Sequence, residues 1–438
     1  MKQRGDGRGR GRSLGLTRRG WAATAVACAG LLLSYVVMLD GLIFVAVFVA
    51  AVVLCAMLSA HHRRPRLAVH RAFSSPHLVA GHSAEVTLEL ANTVERAVGS
   101  GEWYDRWAWN SGSVWGAGGL EGASEPRPLP VLRARSTRSL STARVSHTLT
   151  LPRRGEYLLG PVVVRVTDPF GLCWSEVEIG EQQSVIVVPE TAALGDTGIA
   201  FAEADGSVRR LSHRAIGGDH DLTTRDYRVG DPLRRVHWRA SAHHGELMVR
   251  QEEQRSNAEA TILLDTRADR YPLTPLRSQA DPESELFEWA VSFTASLAHY
   301  LDGSGMFVRV AETAPAQLDS SLAGTGLLEG LARLELFHGW VGDAALGPAL
   351  VEGRARGGTI FAVLADADGA TLHSLIEARS SFALATVFLL QGDARYEDSR
   401  AAEALGRAGW AVVTVPLGGT VEHAWSMAGE MGGRRRGW

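Results

Sequence analysis

Two long apolar runs lie close to the amino terminus, at residues 21–39 and 41–58, and neither contains a charged side chain. Each run is about as long as a helix needs to cross the hydrocarbon of a bilayer. Asp40 separates the runs and is followed by glycine, a pair that is favoured in turns. One continuous helix would be roughly twice as long as a bilayer is thick. The pattern therefore predicts a transmembrane helical hairpin over residues 21–60, with its turn at Asp40.

Basic residues flank this hairpin on both sides. Residues 1–20 form a basic tail with Arg18 and Arg19 next to the first run, and Arg63, Arg64 and Arg66 follow the second run. Basic residues are retained on the cytoplasmic side of membranes. We therefore expect a multi-pass protein of the cell (inner) membrane with its amino terminus and soluble domains in the cytoplasm. The alternative is a twin-arginine secretion signal at residues 17–21, but no small-residue cleavage site separates the two runs.

Residues 65–190 alternate between apolar and polar positions, most clearly at 84–90 and 162–166. This period is typical of strands with one buried face, and it predicts a β-sandwich-like module. Residues 99–139 are rich in Gly, Ser and Pro and predict a loop, yet this loop carries Trp103, Trp107, Trp109 and Trp115. These rings could rest at the membrane interface or bind a partner. Alternatively, they cover their own module.

Residues 258–430 change to apolar strands that alternate with amphipathic helices, which is typical of a parallel sheet covered on both faces. Asp281 and Pro282 are suited to the start of a helix over 285–301. The domain is therefore predicted to be a Rossmann-like α/β domain, without the Gly-rich turn that binds dinucleotides. The predicted strands are 260–265, 306–311, 359–365, 383–390 and 411–415.

Composition narrows the function classes further. The chain is 45% hydrophobic and 21% charged, with a net charge of −3, so we expect globular domains and no nucleic-acid partner. Cys28, Cys55 and Cys173 have no zinc-type spacing and suggest no disulfide framework. No Gly-x-Ser-x-Gly motif is present. We therefore expect a protein that is not an enzyme.

The segment 200–257 links the two domains and has the most distinctive sequence motifs of the chain. Asp231 and Pro232 can start a short helix that Gly245 ends before a strand over 246–250. Its charged side chains could contact a partner or form buried internal struts. The candidate binding residues of this segment are Arg225, Tyr227, Gly230, Asp231, Arg235, Trp238 and Arg239.

This segment, with residues 154–157 and 167–172 upstream, resembles the bacterial family of domain of unknown function fifty-eight (DUF58). The motif Arg-x-Tyr-x-x-Gly-Asp stands at 225–231, and His237 departs from the Asp of many relatives. The resemblance implies a membrane hairpin, a β-rich module and a von Willebrand factor A-like domain. It also implies a MoxR-type AAA+ ATPase and a transglutaminase-like membrane protein as partners in the assembly of envelope or protein complexes.

Von Willebrand factor A domains can bind Mg²⁺ through Asp-x-Ser-x-Ser after their first strand. Here Asp265 is present, but Arg267 and Asp269 replace the two serines. Asp366 and Asp368 could add carboxylates at the same sheet edge. We expect no cofactor, because a fixed cation beside Asp265 would repel a metal or take its place. The main hypothesis is thus a membrane-anchored interaction or scaffold protein, and the alternative is a metal-dependent enzyme or cation-dependent binding domain that uses Asp265, Asp269 and Asp366.

Overall fold

A computed structural model describes residues 12–62, 64–99, 101–109, 121–135, 141–197, 200–202, 208–210, 224–226, 238–250, 259–271, 284–319, 321–339, 357–390, 397–416 and 418–434. The chain divides into two compact units. We call Met1–Glu190, with Pro275–Pro282, the anchor unit, and Thr191–Thr274, with Glu283–Trp438, the α/β unit. The structure therefore combines two amino-terminal apolar helices with several sheets.

The apolar hairpin consists of helices α1 (Arg18–Val37) and α2 (Asp40–His62). The two helices pack closely through small residues, since a β-carbon on Gly30 would lie 3.2 Å from that of Ala46. Most of their large apolar side chains are exposed. Both helices are long and apolar enough to cross a membrane, which suggests membrane association.

The turn of the hairpin differs from the prediction. Met38 adopts a left-handed conformation with φ of 48° and ends α1. Asp40 is already the first residue of α2, where its carboxylate is favoured by the positive end of the helix dipole. The turn therefore lies at Met38 and Leu39, before the Asp-Gly pair.

The strands of the anchor unit form two sheets. Strands β2, β4 and β8 form one antiparallel sheet, and β9 lies inside the other, between β10 and β11, with β5 also paired to it. Apolar side chains from both sheets share one core, for example those of Leu88 and Val164, as in a sandwich. The strands are β1 (Arg12–Leu16), β2 (Leu67–Phe73), β3 (Leu78–Val79), β4 (Ser83–Asn92), β5 (Gly101–Trp109), β6 (Glu121–Ala123), β7 (Arg127–Pro128), β8 (Thr142–Thr150), β9 (Gly155–Thr167), β10 (Cys173–Ile179) and β11 (Gln183–Val188).

Two predictions for this unit need correction. Residues 12–16 are not part of a simple tail, because β1 pairs antiparallel with β10. The predicted loop 99–139 begins with the nine-residue strand β5, which pairs with β9 along most of its length. Trp103 is buried, and Trp107 and Trp109 pack against the same core. These three rings therefore cover their own module, and Trp115 lies outside the described residues.

A buried ionic cluster joins the two sheets of the anchor unit. Arg71 on β2 binds Asp105 on β5 through Nε at 3.0 Å and Nη2 at 2.7 Å. His147 Nε2 on β8 lies 3.8 Å from Asp105 Oδ2. Burial lowers the pKa of His147, although the carboxylate of Asp105 opposes this shift. The imidazole is therefore uncharged at neutral pH, and Arg71 is the cation that balances Asp105.

The α/β unit confirms a mixed α/β structure. Its five-stranded sheet is parallel, with the order β17-β16-β18-β19-β20. Each strand of this sheet lies within three residues of its predicted bounds. The strands of the unit are β12 (Ala200–Ala202), β13 (Val208–Arg210), β14 (Thr224–Asp226), β15 (Met248–Arg250), β16 (Glu259–Leu264), β17 (Phe307–Glu312), β18 (Gly357–Leu364), β19 (Phe382–Leu390) and β20 (Ala411–Val415).

Helices cover both faces of this sheet. Helices α4, α5 and α8 pack on one face and α6 and α7 on the other. This strand order is found in doubly wound folds of several kinds, so the von Willebrand factor A-like assignment stays a prediction. The helices are α3 (Trp238–His244), α4 (Glu285–Gly303), α5 (Gly324–Arg333), α6 (Gly369–Ala378), α7 (Glu397–Arg407) and α8 (Val421–Arg434), with single 3₁₀ turns at Ala268–Arg270 and Arg379–Ser381.

Helix α4 was predicted over residues 285–301 and is observed at Glu285–Gly303. Ala290, Phe293 and Leu297 are buried at helical spacing, as the pattern indicates. Ser284 occupies the capping position, without a capping hydrogen bond from its side chain. Asp281 and Pro282, which were expected to start this helix, lie outside the described residues.

Candidate functional site

Several charged side chains meet at the carboxyl edge of the parallel sheet, between β16 and β18. The connection after β16 leads to β17 on one side, whereas β18 lies on the other. Ligands of open α/β sheets bind at such switch points. Asp265 follows β16, Thr313 follows β17, and Asp366 and Asp368 follow β18. We call the charged residues that meet here the Asp–Arg cluster, which comprises Asp265, Arg267, Asp269, Arg270, Asp366 and Asp368.

Asp265 is the central residue of the cluster and is completely buried. Its Oδ1 accepts hydrogen bonds from the Thr313 hydroxyl and from Arg267 Nε, the latter at 3.3 Å. Its backbone N–H donates to the Val363 carbonyl at 3.0 Å, and Tyr271 donates to its carbonyl at 2.7 Å. Burial raises the pKa of Asp265, while the charge of Arg267 and the bond from Thr313 oppose this shift. The carboxyl group is thus rigidly positioned on the sheet.

Arg267 contacts residues that follow β16 and residues that follow β18. Its side chain is only 9% exposed. Besides the contact with Asp265, its Nη2 donates to Thr371 Oγ1 at 2.9 Å and its Nη1 lies 3.6 Å from Asp368 Oδ2. The planar guanidinium group suits this role, because it can donate in several directions at once. Arg267 therefore places a permanent positive charge between the carboxylates of Asp265 and Asp368.

Arg270 neutralises the outer carboxylates of the cluster. It hydrogen-bonds to Asp368, and it lies 3.5 Å from Asp366 and 3.2 Å from Asp269. Asp368 also caps α6, since its Oδ1 accepts from Thr371 N at 2.8 Å. Burial alone would raise the pKa of Asp368, but the bonds from Thr371 and the charges of Arg270 and Arg267 hold it below its usual value. Asp368 is therefore ionised at neutral pH.

These contacts do not fit a bound divalent cation. Each of the three carboxylates proposed as metal ligands, those of Asp265, Asp269 and Asp366, already faces an arginine. Within the described ranges, no three His, Cys, Asp or Glu side chains are grouped so that they could hold a metal ion. A metal would have to displace a buried guanidinium and face the repulsion of Arg270. The geometry therefore weighs against the metal alternative.

We expect Arg267→Ser to create a weak Mg²⁺ site in the Asp–Arg cluster. The change removes the positive charge between Asp265 and Asp368 and supplies a hydroxyl two positions after Asp265, as oxygen-binding metals prefer. Isothermal titration of the detergent-solubilised full-length protein should show no Mg²⁺ binding by the wild type and a dissociation constant on the order of 1 mM for the variant.

Arg309→Ser is the matched control. The Arg309 guanidinium lies 3.4 Å from the Glu259 carboxylate, and this pair is not at the carboxyl edge of the sheet. This control should bind no Mg²⁺. Equal Mg²⁺ binding by the wild type and Arg267→Ser would show that Arg267 does not take the place of a metal.

The linking segment is described only in part. Arg225 lies in β14 opposite Val249 of β15, and Arg239 lies in α3; the structure does not describe the side chains of these two arginines. Trp238 begins α3 and is 67% exposed. Tyr227, Gly230, Asp231 and Arg235 lie outside the described residues. The partner-contact and internal-strut interpretations of Asp231 and Arg225 therefore stay predictions.

The predicted end of the short helix in this segment is confirmed. Helix α3 ends at His244, and Gly245 follows it with φ of 77°, a conformation that favours glycine. Ser241 Oγ accepts from Met248 N at 2.8 Å and joins α3 to β15. Trp238 is thus an exposed aromatic residue on a short helix that is tied to a strand.

Sequence reasoning missed Thr313, Thr371 and Arg270 as members of this site. Thr313 could have been found, because it follows the strand next to β16 and the ends of parallel strands meet at one edge. Arg270 lies in a 3₁₀ turn whose direction the sequence pattern does not indicate.

A family comparison supports the resemblance noted above. Residues 223–314 match the model of the family "Protein of unknown function DUF58". The match covers about a fifth of the chain, and it supports the resemblance to the DUF58 family. The DUF58 match runs from β14 to just beyond Thr313, so it contains Asp265 and Arg267 but neither Asp366 nor Asp368. No curated protein matches this chain.

Solved structures are similar to the chain only in part. Alkylpurine DNA glycosylase AlkC of Pseudomonas fluorescens has 10% identity, covers 30% of this chain and 32% of its own, and has a TM-score of 0.20. A β-glucosidase of Listeria innocua has 15% identity, with 28% and 16% covered and a TM-score of 0.18. The CARDB domain of Pyrococcus furiosus PF1109 has 14% identity, with 29% and 90% covered and a TM-score of 0.17. Similarities this low carry no argument about fold or function.

Proposed function

We propose that this DUF58 protein is a membrane-anchored, non-enzymatic interaction protein that holds its α/β unit at the cytoplasmic surface of the cell membrane. The observation that carries the proposal is the attachment of the apolar hairpin to the β-sheets of the anchor unit. Strand β1 directly precedes α1 and pairs with β10, and Thr17 N donates to the Leu172 carbonyl at 2.8 Å. The hairpin is therefore an integral part of a folded unit.

Both ends of the hairpin are joined to the same folded module. At the start of α1, strand β1 belongs to the sheet that contains β10. Near the end of α2, Ala56 and Ala60 pack in one cluster with Cys173 of β10. A hairpin whose two ends meet one soluble module must have both ends on the same side of the bilayer. The basic residues on both flanks favour the cytoplasmic side.

The Asp–Arg cluster favours a structural role at this sheet edge over a catalytic one. Its carboxylates are paired with arginines. Burial would raise the pKa of Asp368, but the hydrogen bonds from Thr371, with the charges of Arg270 and Arg267, hold it below its usual value. A general base works best with a pKa near the operating pH and with access to its substrate, whereas Asp368 is held ionised in an internal network. Such a network stabilises a sheet edge and its loops.

The proposed partner is a MoxR-type AAA+ ATPase, with a transglutaminase-like membrane protein as a further component. The DUF58 resemblance is the reason for naming these two classes. Trp238 is the described residue of the family segment that best suits a contact, because exposed tryptophan is enriched at interface hot spots. We propose that such a complex serves the assembly of envelope or protein complexes.

We expect Trp238→Ala to weaken binding of a MoxR-type ATPase about thirtyfold, which is the effect of losing an interface hot spot of about 2 kcal/mol. The measurement is biolayer interferometry between the full-length protein in nanodiscs and a purified MoxR-type ATPase encoded in the same genome. Phe307→Ala is the matched control, because Phe307 is another exposed aromatic residue of the α/β unit. The control should change affinity less than about twofold. Absence of wild-type binding, or equal affinity of Trp238→Ala and wild type, would count against this partner.

A further inference from the structure

A tight turn at residues 168–173, between β9 and β10, is organised by the carboxylate of Asp168. Oδ2 accepts from Phe170 N at 2.8 Å, and Oδ1 accepts from Leu172 N at 2.7 Å and Cys173 N at 2.5 Å. Gly171 has φ of 68°, a conformation that glycine adopts without strain. Three N–H groups bound to one carboxylate make this turn rigid. We call it the Asp168 turn.

The Asp168 turn holds the start of the first apolar helix. Thr17 Oγ1 donates to the Gly171 carbonyl at 2.6 Å, and Thr17 N donates to the Leu172 carbonyl at 2.8 Å. Gly20 lies so close that a β-carbon on it would be 2.1 Å from the Leu172 oxygen. The turn therefore lies at the level of the first turn of α1.

Phe170 projects from this turn and is not covered by the anchor unit. Its side chain is 64% exposed, although its backbone is held by Asp168. Trp21, which opens the apolar run of α1, is 65% exposed. Arg18 and Arg19 precede Trp21 in the chain and are exposed, and the Arg19 guanidinium lies 3.9 Å from the position of a β-carbon on Gly171. Two exposed aromatic and two exposed basic residues thus belong to the turn and to the start of α1, where the hairpin leaves the folded module.

We infer that the Asp168 turn is an additional membrane contact, in which Phe170 inserts into the interfacial layer of the bilayer and Arg18 and Arg19 bind the phosphates of anionic phospholipids. The inference rests on the proposed membrane anchorage. The position of the turn identifies the occupant, because the apolar run begins at Trp21 and the turn lies beside residues 17–20. Aromatic side chains concentrate at the level of the headgroups, and anionic leaflets attract juxtamembrane basic residues.

The contact restricts how the anchor unit is oriented on the membrane. A hairpin alone defines a line across the bilayer, and the folded module that is joined to it can tilt together with that line relative to the membrane surface. A rigid aromatic contact beside that line fixes a further point, at a low entropy cost because the turn is already ordered. The Asp168 turn therefore limits how far the anchor unit can tilt relative to the bilayer.

Photo-crosslinking in full-length protein tests this inference. Benzoylphenylalanine is placed at position 170, at position 47 within α2, or at position 131, where Val131 is 73% exposed on the anchor unit. Each protein is reconstituted in nanodiscs of phosphatidylcholine and phosphatidylglycerol, irradiated, and examined for phospholipid adducts by mass spectrometry. We expect adducts at positions 170 and 47 and none at position 131.

The three positions separate failure of the inference from failure of the anchorage. Adducts at position 47 without adducts at 170 would overturn the inference and leave the membrane anchor intact. No adducts at position 47 would overturn both. Adducts at 131 as abundant as those at 170 would also overturn the inference, because any exposed residue would then meet lipid.

The lipid preference gives a second, independent readout. At position 170, phosphatidylglycerol adducts should exceed the bilayer composition by about fivefold, as one basic contact at an anionic surface supports. The double substitution Arg18→Gln and Arg19→Gln should abolish this preference while adducts at position 47 persist. An unchanged preference in that variant would overturn the assignment of Arg18 and Arg19 to lipid phosphates.

Discussion

Asp105→Ala is expected to lower the free energy of unfolding of the anchor unit by about 3–5 kcal/mol, the cost of leaving one partner of a buried ion pair alone. Arg71 and Asp105 are almost completely buried, with two hydrogen bonds of 3.0 and 2.7 Å between them. Without Asp105 the guanidinium of Arg71 stays buried without its counter-ion. The measurement is denaturant unfolding of the full-length protein in detergent, with hydrogen exchange of β5 and β9 as the local readout.

Glu178→Ala is the matched control for this prediction. It breaks the ion pair between Arg106 and Glu178 at 3.0 Å, in which the arginine is about half exposed. Exposed pairs contribute less than about 1 kcal/mol. Equal destabilisation by Asp105→Ala and Glu178→Ala would show that the buried cluster does not hold the two sheets together.

Gly20→Ala should destabilise the contact between α1 and the Asp168 turn by about 3 kcal/mol, the upper part of the range for overpacked sites. The added β-carbon would lie 2.1 Å from the Leu172 oxygen, which is a backbone atom that cannot rotate away. We expect the amides of β1 and of Thr17 to exchange about one hundredfold faster with deuterium. The measurement is hydrogen exchange with mass spectrometry on protein in nanodiscs.

Gly41→Ala is the control in the same hairpin. Gly41 lies in the first turn of α2, and a β-carbon there would meet nothing within 4 Å. This substitution should leave exchange in β1 unchanged or slightly slower, since alanine favours helix over glycine. Faster exchange in both variants would mean that the effect comes from the helices themselves and not from the contact with Leu172.

The Asp–Arg cluster connects two distant parts of the α/β unit. Asp265 and Asp368 lie about one hundred residues apart in sequence, yet Arg267 contacts both. The cluster therefore ties the ends of β16 and β18 together in the manner of a bound ion, without depending on metal supply. Such an edge can present loops to a partner protein in a constant arrangement.

The periodicity of the chain was sufficient to predict the elements that repeat regularly. The five parallel strands and α4 are confirmed because buried strands read as apolar runs and α4 shows its inward face at helical spacing. The apolar hairpin was predicted for the same reason, since length and the absence of charge are properties of sequence alone. Element boundaries such as the turn at Met38 were missed, because they depend on how the helices pack.

Hydrophobic periodicity could not predict the roles of residues whose partners lie far away in the sequence. Strand β1 reads as part of a basic tail until β10 supplies its pairing partner. Residues 101–109 read as a loop because of their surroundings in sequence, although β9 stabilises them as a strand. Asp168 was noticed as part of a motif, but only the contact with Thr17 shows that its turn holds the hairpin.

The sequence by itself determined that this chain carries an apolar hairpin, a β-rich module and a parallel α/β sheet, because hydrophobic spacing is a local property that each element needs in order to bury one face. Only the tertiary structure decided what the charged residues do. From the sequence, Asp105 could have been exposed and Asp265 could have bound a metal. In the fold, Asp105 is buried beside Arg71 and Asp265 beside Arg267. Burial raises the cost of an unpaired charge, so partners from distant parts of the chain determine its role.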